Sequence, residues 1–401
     1  MALMPVAEAK DRILKDAKAL PRENVPLHHC AGRVLAAGIK AKRDQPPFPA
    51  SAMDGYAVRF ADVQAVPARL KVIGTAPAGH GFGGTVKAGQ AVRIFTGAPV
   101  PEGADTVVIQ ENTEAADGQV AVTVAAQRAG QHIRRKGLDF AKGEELLPRG
   151  TLLGAREIGL AAAMNWPDLP VTKRPKVAIF TTGDELVSPG TTPRPDQIVS
   201  SNSFALSAFV RRYGGEAVDL GIIPDNLKAI SRAVRKASGA EILLTTGGAS
   251  VGDHDLVQAA LKAEGIALDF WKIALRPGKP LMFARNGTQR ILGLPGNPVS
   301  ALVCSRIFLK PLLSALLGLP PAEDVVKARL GSDLPANDQR QDYLRATVAR
   351  GGDGSFEATP FKLQDSSMQR ALTQAHGLIV RPPFAPAVRA GDLVDLLLLD
   401  F

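Results

Sequence analysis

The sequence predicts an α/β core domain, a parallel sheet with helices on both faces. That domain sits in a multidomain α+β/β chain with an inserted β-rich domain and a C-terminal β-barrel. Three observations predict this. Between Arg174 and about Gly318 a β-branched or aliphatic run, a turn and an amphipathic helix recur several times, and strands alternating with such helices specify a parallel sheet. From about Val58 to Ile133 short alternating runs are separated by Gly, Pro and Asp-Gly signals, the pattern of an all-β module. After LGLPPAED the helical period disappears and short apolar runs return, which fits a small barrel.

Taken in order, Pro5 to Leu20 (PVAEAKDRILKDAKAL) has helical spacing, with Ala9, Ile13, Leu14 and Ala17 on one face and proline at the entry. A second helix is expected around Arg33 to Ala37. QPPFPASAMDGYAV then forms an extended, proline-stiffened connector into an Asp-Gly turn. The strands of the β module are LKVIGTAPA, QAVRIFTGA, DTVVIQEN and QVAVTVAA. GTLLGAREIGLAAAMN is helical again, so the module reads as an insertion in a discontinuous helical first domain. The expected boundaries are 1–50 with 138–172, 51–137, 173–318 and 319–401.

In the α/β segment the strands are KVAIFTT, EAVDLGII, EILLTT and QRILGL. The helices run over Ser203–Tyr213, Leu227–Ala237, Leu256–Glu264 and Val299–Leu317, with Gly214-Gly215 and Gly239 as stops. The last domain contributes DYLRATVAR, SFEATPF, GLIVRP and DLVDLLLLDF.

Composition narrows the function. The chain has 401 residues, 45% hydrophobic and 22% charged, enough for real cores and unlike a disordered chain. A net charge of +9 with pI ≈ 9.6 suits an anionic partner. The basic residues are spread thinly, however; the longest clusters are Arg134-Arg135-Lys136 and Arg211-Arg212, and aromatics are 5%. Nucleic acid is therefore not the expected partner. Cys30 and Cys304 lie far apart, so no disulfide framework is expected, and a reducing, cytoplasmic compartment is the default. No run of ~18 uncharged apolar residues occurs and MALMPVAEAKDR lacks a signal-peptide core, so no membrane partner is expected.

Ligands of an open α/β sheet bind beyond the carboxyl ends of its strands. Here those ends carry TTGDE (Thr181–Glu185), PDN (Pro224–Asn226), TTGGASVGDHD (Thr245–Asp255) and LPGNPVS (Leu294–Ser300). Gly247, Gly248 and Ser250 let backbone N–H groups approach an oxyanion. Asp184, Glu185, Asp225, Asp253 and Asp255 would repel phosphate unless a hard cation bridges them, as Mg²⁺ does with one or two carboxylates plus substrate phosphates. Taken singly, each acid has a second reading as a helix N-cap. Arg276 and Lys279 of RPGKP flank a Pro-Gly turn and supply positive charge for an oxyanion. Neither GxxxxGK[ST] nor GxGxxG after a strand is present, and the six histidines make no metal spacing.

TTGDEL, TTGGASVGDHD, RPGKP and LPGNPVSA, in this order, resemble the molybdenum cofactor biosynthesis fold. FPASAMDGYAVR and RIFTGAPVPEGAD resemble the additional domains of one branch, the molybdopterin molybdenumtransferases, related to the E domain of gephyrin. The resemblance covers essentially the whole chain. It implies a homodimer with each active site at the subunit interface. It also implies a Mg²⁺-dependent reaction of adenylylated molybdopterin with molybdate, ligating the metal to the dithiolene and releasing AMP.

Carried onto this sequence, the resemblance implies that Asp225, Asp255 and Glu185 hold Mg²⁺ and the nucleotide. Gly247, Gly248 and Ser250 would face phosphate. Arg276 and Lys279 would face molybdate or phosphate, with Pro295, Asn297 and Ser300 nearby. Asp54, Thr96 and Asp139 would come from the first two domains, and Arg345 and Ser366 from the fourth. Many members have lysine at the position of Arg276, and Gly-Ser-Gly where this chain has Asp365-Ser366-Ser367. The adenylyltransferase of the preceding step and recipient molybdoenzymes are implied partners. Two rival readings are that adenylyltransferase step itself and a gephyrin-like scaffold; sister proteins of the first kind are typically the α/β domain alone.

Overall fold

The computed structural model describes residues 3–247, 256–321, 324–352 and 354–401. The chain divides into two compact units. One comprises Met1–Glu23, Gly32–Ala36 and Val171–Phe401; the other comprises Asn24–Ala31 and Ala37–Pro170.

The first unit is organised by a six-stranded sheet. In chain order its strands are β1 (Lys176–Thr182), β2 (Glu216–Ile223), β3 (Ile242–Thr246), β4 (Leu268–Trp271), β5 (Met282–Asn286) and β6 (Gln289–Leu294), arranged β2-β1-β3-β6-β5-β4. The four strands named from the sequence are parallel to one another, while β4 and β5 are antiparallel additions at one edge. The expected all-parallel sheet is therefore a mixed one. The cause is local: β5 returns into β6 through a two-residue loop, Gly287-Thr288, with Gly287 at φ 58°, a tight hairpin that permits only antiparallel pairing.

Side-chain alternation builds two cores from one sheet. Val177 and Ile179 of β1, with Ile242 and Leu244 of β3, pack against α1 (Asn202–Arg212) and the long helix beginning at Pro298. Ala178, Phe180 and Leu243 point the other way, onto α2 (Leu227–Lys236) and α3 (Leu256–Ala263). Gly214 closes α1 at φ 82°, as expected, but Gly239 stays outside the left-handed region and α2 ends on Ala237 instead. The helix Pro298–Leu317 has a mean hydropathy of 1.6, and 72% of that apolar stretch is buried inside the protein. It contains a π segment, Ser305–Leu309. A core helix, not a span, is what this burial describes.

The N-terminal helix is shorter than its periodicity, spanning Val6–Leu14. Its last carbonyls are taken by arginines far away in sequence. Arg290 donates to Ile13 O (3.1 Å) and Lys15 O (2.9 Å), and Arg285 donates to Arg12 O (2.5 Å). Asp16 then turns left-handed at φ 58°. Cations on the last carbonyls favour termination there. The helix expected at Arg33 to Ala37 is absent. Leu35 bridges Val171, Thr172 N donates to Val34 O, and Arg33 is tied to Thr172 O and Glu23. Backbone pairing overrides a five-residue helical signal.

Beyond the sheet the chain closes a five-stranded barrel in the order Gln341–Arg350, Phe356–Pro360, Val325–Leu330, Leu393–Leu398 and Gly377–Arg381, which pairs back to the first. The strand Val325–Leu330 and a short helix, Gln369–Thr373, were not read from the sequence. The two-residue strand Leu275–Arg276 adds to the outside of Gln341–Arg350.

The second unit holds a six-stranded sheet in the order Thr106–Ile109, Gly55–Val58, Gln90–Ile94, Ala68–Ala76, Gln119–Val122, Thr113–Ala116. Its two faces carry separate cores, Tyr56, Val58 and Leu70 on one and Ala57, Val92 and Ile94 on the other. The rest of this unit has one α-helix among the described residues, Ala155–Ala163, and a single 3-10 turn, Leu27–His29, beside short strand pairs such as Ile39–Lys40 with Glu145–Leu147. The first-domain segments are thus less helical than expected.

Phe180 is fully buried between β1 and the α2–α3 face. Phe180→Ala removes a large side chain from a close-packed layer and is expected to cost about 3–5 kcal/mol, read from the midpoint of urea unfolding.

Candidate functional site

The parallel strands β1, β3 and β6 end side by side in Thr181-Thr182, Thr246 and Leu294. Their following residues must pass through very little space. Gly247 has φ 83°, and a β-carbon there would stand 2.1 Å from Thr182 O; one on Gly296 would touch Gly247 at 3.7 Å. Only glycine meets both demands at position 247. Two clefts open on this edge, of about 580 Å³ and about 650 Å³, and they share Gly247, Gly296 and Asn297.

The first cleft lies between the basic turn and the barrel. Arg276, Lys279, Pro295, Asn297, Ser300 and Ser366 all line it. Asn297 Nδ2 donates to Ser366 Oγ at 2.6 Å and Val299 N donates to Ser366 O at 3.1 Å, tying the barrel loop to the start of the long helix. Ser300 is buried one turn in. Lys279 is exposed and makes no ion pair among the described residues. Arg276 is different: its guanidinium is turned onto Asp342, Asp338 and Asn337. Asp342 holds it well protonated, above the usual range.

Arg345 lines neither cleft. It is 1% exposed, donates to Gln364 Oε1 and Met368 O, and its Nη2 has no hydrogen-bond partner among the described residues. Burial lowers its affinity for the proton. What it holds is the loop from Gln364 to Met368, whose Ser366 and Ser367 face the two clefts.

The second cleft is lined by neutral hydrogen-bonding groups, among them Thr181, Ser201, Asn202, Thr246 and Gln369, together with Glu185. Asn202 Nδ2 donates to Gly296 O at 2.7 Å and Gln369 Nε2 to Ser201 Oγ at 2.5 Å. Thr181 Oγ1 is buried without a hydrogen-bond partner among the described residues. Beside it, burial and the nearby Asp184 and Glu185 push the Asp225 carboxyl upward. Asp225 is not a helix cap: α2 is capped by Asn226, whose Oδ1 accepts from Ala229 N at 2.9 Å. The cap reading of that acid fails. Among the described residues no three His, Cys, Asp or Glu side chains converge as a metal cluster. Gly248, Ser250, Asp253 and Asp255 lie outside the described residues.

In the second unit, Asp54 Oδ1 accepts from both Thr96 N and Thr96 Oγ1 at 2.7 Å. The Thr96 hydroxyl, then its N–H, and the charge of Arg93 hold the Asp54 carboxyl below its usual range. Arg93 itself donates to Gly55 O and lies near the Tyr56 and Phe95 rings. Asp139 is exposed and does not join them; its N–H donates to Gln45 O at 2.9 Å.

Gln364, Gln369, Ser201, Asn202 and Arg340 line the clefts and were missed in the sequence. Ser200-Ser201-Asn202 before a helix was a visible signal. The others carry none, because only barrel closure brings them to the sheet edge.

Residues 4–165 match the MoeA N-terminal region (domain I and II), 178–315 a probable molybdopterin binding domain, and 327–399 the MoeA C-terminal region (domain IV). The chain is 40% identical to the molybdopterin molybdenumtransferase of a Nostoc species, over 80% of this chain and 76% of that one. It is 33% identical to that of Haemophilus influenzae, over 93% of both. A crystal structure of the molybdopterin biosynthesis MoeA protein from Pyrococcus horikosii superposes with a TM-score of 0.85 at 30% identity, covering 99% of each chain.

Two outcomes are expected. Gly247→Ala forces a β-carbon against the Thr182 carbonyl and costs about 1–3 kcal/mol, visible as a lowered urea midpoint. Asp54 has a depressed pKa, so its stabilising contribution is present above the unfolded value and lost as pH falls through the folded one. Asp54→Asn should therefore lower Tm at pH 7, with the gap to wild type closing below the ordinary carboxylate range, in a thermal-unfolding series against pH.

Proposed function

Since this chain belongs to the molybdopterin molybdenumtransferase family, a family of transferases, we propose that it acts in molybdenum cofactor biosynthesis. It ligates molybdate to the dithiolene of adenylylated molybdopterin and releases AMP. The observation that carries the reading is the pair of clefts meeting at Gly247, Gly296 and Asn297. One presents an ammonium and hydroxyls, the donors a tetrahedral oxyanion needs. The other presents neutral amides and hydroxyls, including the Thr181 hydroxyl, which has no partner among the described residues; these suit a heterocycle rich in N–H and C=O groups. A substrate bound across both brings an organic group and a metal oxyanion together, which is the positional part of catalysis.

Glu185 and Asp225, with Asp255 from the resemblance, would hold Mg²⁺; the described acids do not converge as a ready-made cluster, and the fit rests on the chemistry of the donors. They are hard oxygen donors; burial, and then the nearby charges of Asp184 and Glu185, lift Asp225, and a dication would relieve the repulsion. Bound there, Mg²⁺ would neutralise phosphate charge and polarise a phosphoryl oxygen. Lys279 then attracts and orients the oxyanion, Ser300 and Ser366 offer it hydroxyl donors, and the Asn297–Ser366 bond keeps the barrel loop in place. Asp255, Gly248 and Ser250 complete the proposal from the resemblance alone, as do Asp54, Thr96 and Asp139. The proposed partners are adenylylated molybdopterin, molybdate and a second copy of the chain, in the cytoplasm, with the adenylyltransferase and recipient molybdoenzymes as further contacts.

The test is reconstitution with adenylylated molybdopterin, molybdate, Mg²⁺ and an apo-molybdoenzyme, following both AMP release and enzyme activation. Asp225→Ala should reduce both on the order of 100-fold. Adenylylation of molybdopterin from ATP by this protein, without activation, would move it to the preceding step.

A further inference from the structure

The basic turn is a barrel strand as well as a wall of the first cleft. Leu275–Arg276 runs parallel to Gln341–Arg350, with Leu275 opposite Gln341 and Arg276 opposite Asp342. Gln341 N donates to Ala274 O at 2.9 Å. The Arg276 side chain reinforces this pairing. Nε donates to Asp342 Oδ1 (2.7 Å), Nη2 to Asp342 Oδ2 and to Asn337 Oδ1 (3.1 Å), and Nη1 to Asp338 Oδ2 (3.2 Å). A guanidinium has five N–H donors; these contacts use four.

The acceptors are themselves fixed. Asp342 is 4% exposed, and Asn337 Nδ2 donates to Arg340 O, Arg381 O and Pro382 O. Arg340 also pairs with Asp338 at 3.1 Å. Asp338 and Asp342 offset the charges of Arg276 and Arg340, with buried Arg381 also opposite Asp342 on the neighbouring strand, so the Arg276 guanidinium is committed to carboxylates rather than to an anion in the cleft. Lys279 stands apart. It is exposed and without an ion pair among the described residues, and its carbonyl accepts from Ile273 N at 3.0 Å. Between the two, Gly278 at φ 121° is pressed on Cys304, where a β-carbon would come within 2.5 Å of Sγ. The turn is anchored at its arginine, at its glycine and at its lysine carbonyl, while the lysine side chain has no ion pair among the described residues.

We infer that Arg276 and Asp342 are a positioning pair whose fork fixes the turn on the barrel, so that Lys279 is the cation that meets the substrate oxyanion. The inference rests on the reading of this cleft as the molybdate site. It also assigns a consequence to having arginine at 276: the planar fork matches a carboxylate bidentately, which an ammonium cannot do.

The test is calorimetric binding of sodium molybdate to the full chain, with AMP binding and far-UV circular dichroism measured in parallel. Lys279→Ala should weaken molybdate at least tenfold. Asp342→Asn is the discriminating variant, because it removes a negative charge and by charge alone should tighten an anion. A positioning pair requires the opposite: molybdate weakened about tenfold, with AMP affinity within twofold of wild type. Arg276→Lys keeps the charge and loses the fork, and should behave like Asp342→Asn; it decides the matter if that variant does not fold. Tighter or unchanged molybdate binding in either variant overturns the inference, as does equal loss of AMP and molybdate in a folded variant. Wild-type protein that binds AMP but no molybdate would instead sink the reading of the cleft, and this inference with it.

Discussion

At the carboxyl edge of the α/β sheet, the Gly247 backbone runs so near the Thr182 carbonyl that no side chain fits between them. Three parallel strands converge there, and the loop after β6 crosses at Gly296, against the same glycine. This tight convergence brings the two clefts into contact at shared residues. Were the strands to end farther apart, the basic turn and the hydroxyl-lined cleft would be separate surfaces. The long helix starts from the same point, so its first turn inherits the position of the sheet edge.

The barrel is tied to that edge by polar contacts as well as by packing. Asn297 and Val299 hold Ser366, Gln369 holds Ser201, and Arg276 holds Asp342. Farther along the helix, buried Arg306 and half-buried Lys310 pair with the partly exposed Asp324 and Asp400, next to a Tyr213 hydroxyl that Asp400 also engages. With their acids partly exposed, such pairs add little stability and fix the direction in which the helix meets the last strand. The positioning of the cleft walls thus rests on fixed directions of hydrogen bonding, on a frame set by apolar burial.

Legibility in the sequence followed the range of the interactions involved. The strands β1, β3 and β6 and their helices were readable because burial on both faces writes apolar runs and helical periods into contiguous residues. The hairpin of β5 and β6 was not read from the sequence although Asn286-Gly287 is a strong turn signal, because β5 is five residues long and ends in Arg285-Asn286, too short an apolar run to mark a strand. The N-terminal helix ends where Arg285 and Arg290 cap it, and no local pattern announces partners so distant. The site divided in the same way. Acids and glycines after strands follow from sheet topology, and Asp225 proved distinct from the helix cap beside it. That Arg276 would be engaged by Asp342, and Arg345 buried, depends on barrel closure, which short strands do not specify in advance.

The helix Pro298–Leu317 has a consequence for how the chain is made. Its apolar surface is covered partly by the sheet and partly by Tyr343, Leu372, Leu378 and Leu397 of the later barrel. A ribosome delivers those residues last. Throughout that interval a stretch as greasy as a bilayer anchor stands half clothed, so the nascent chain has a window of vulnerability that closes only when Leu393–Leu398 emerges. Slow translation over the barrel strands would widen that window, and a holding chaperone would find its natural client there.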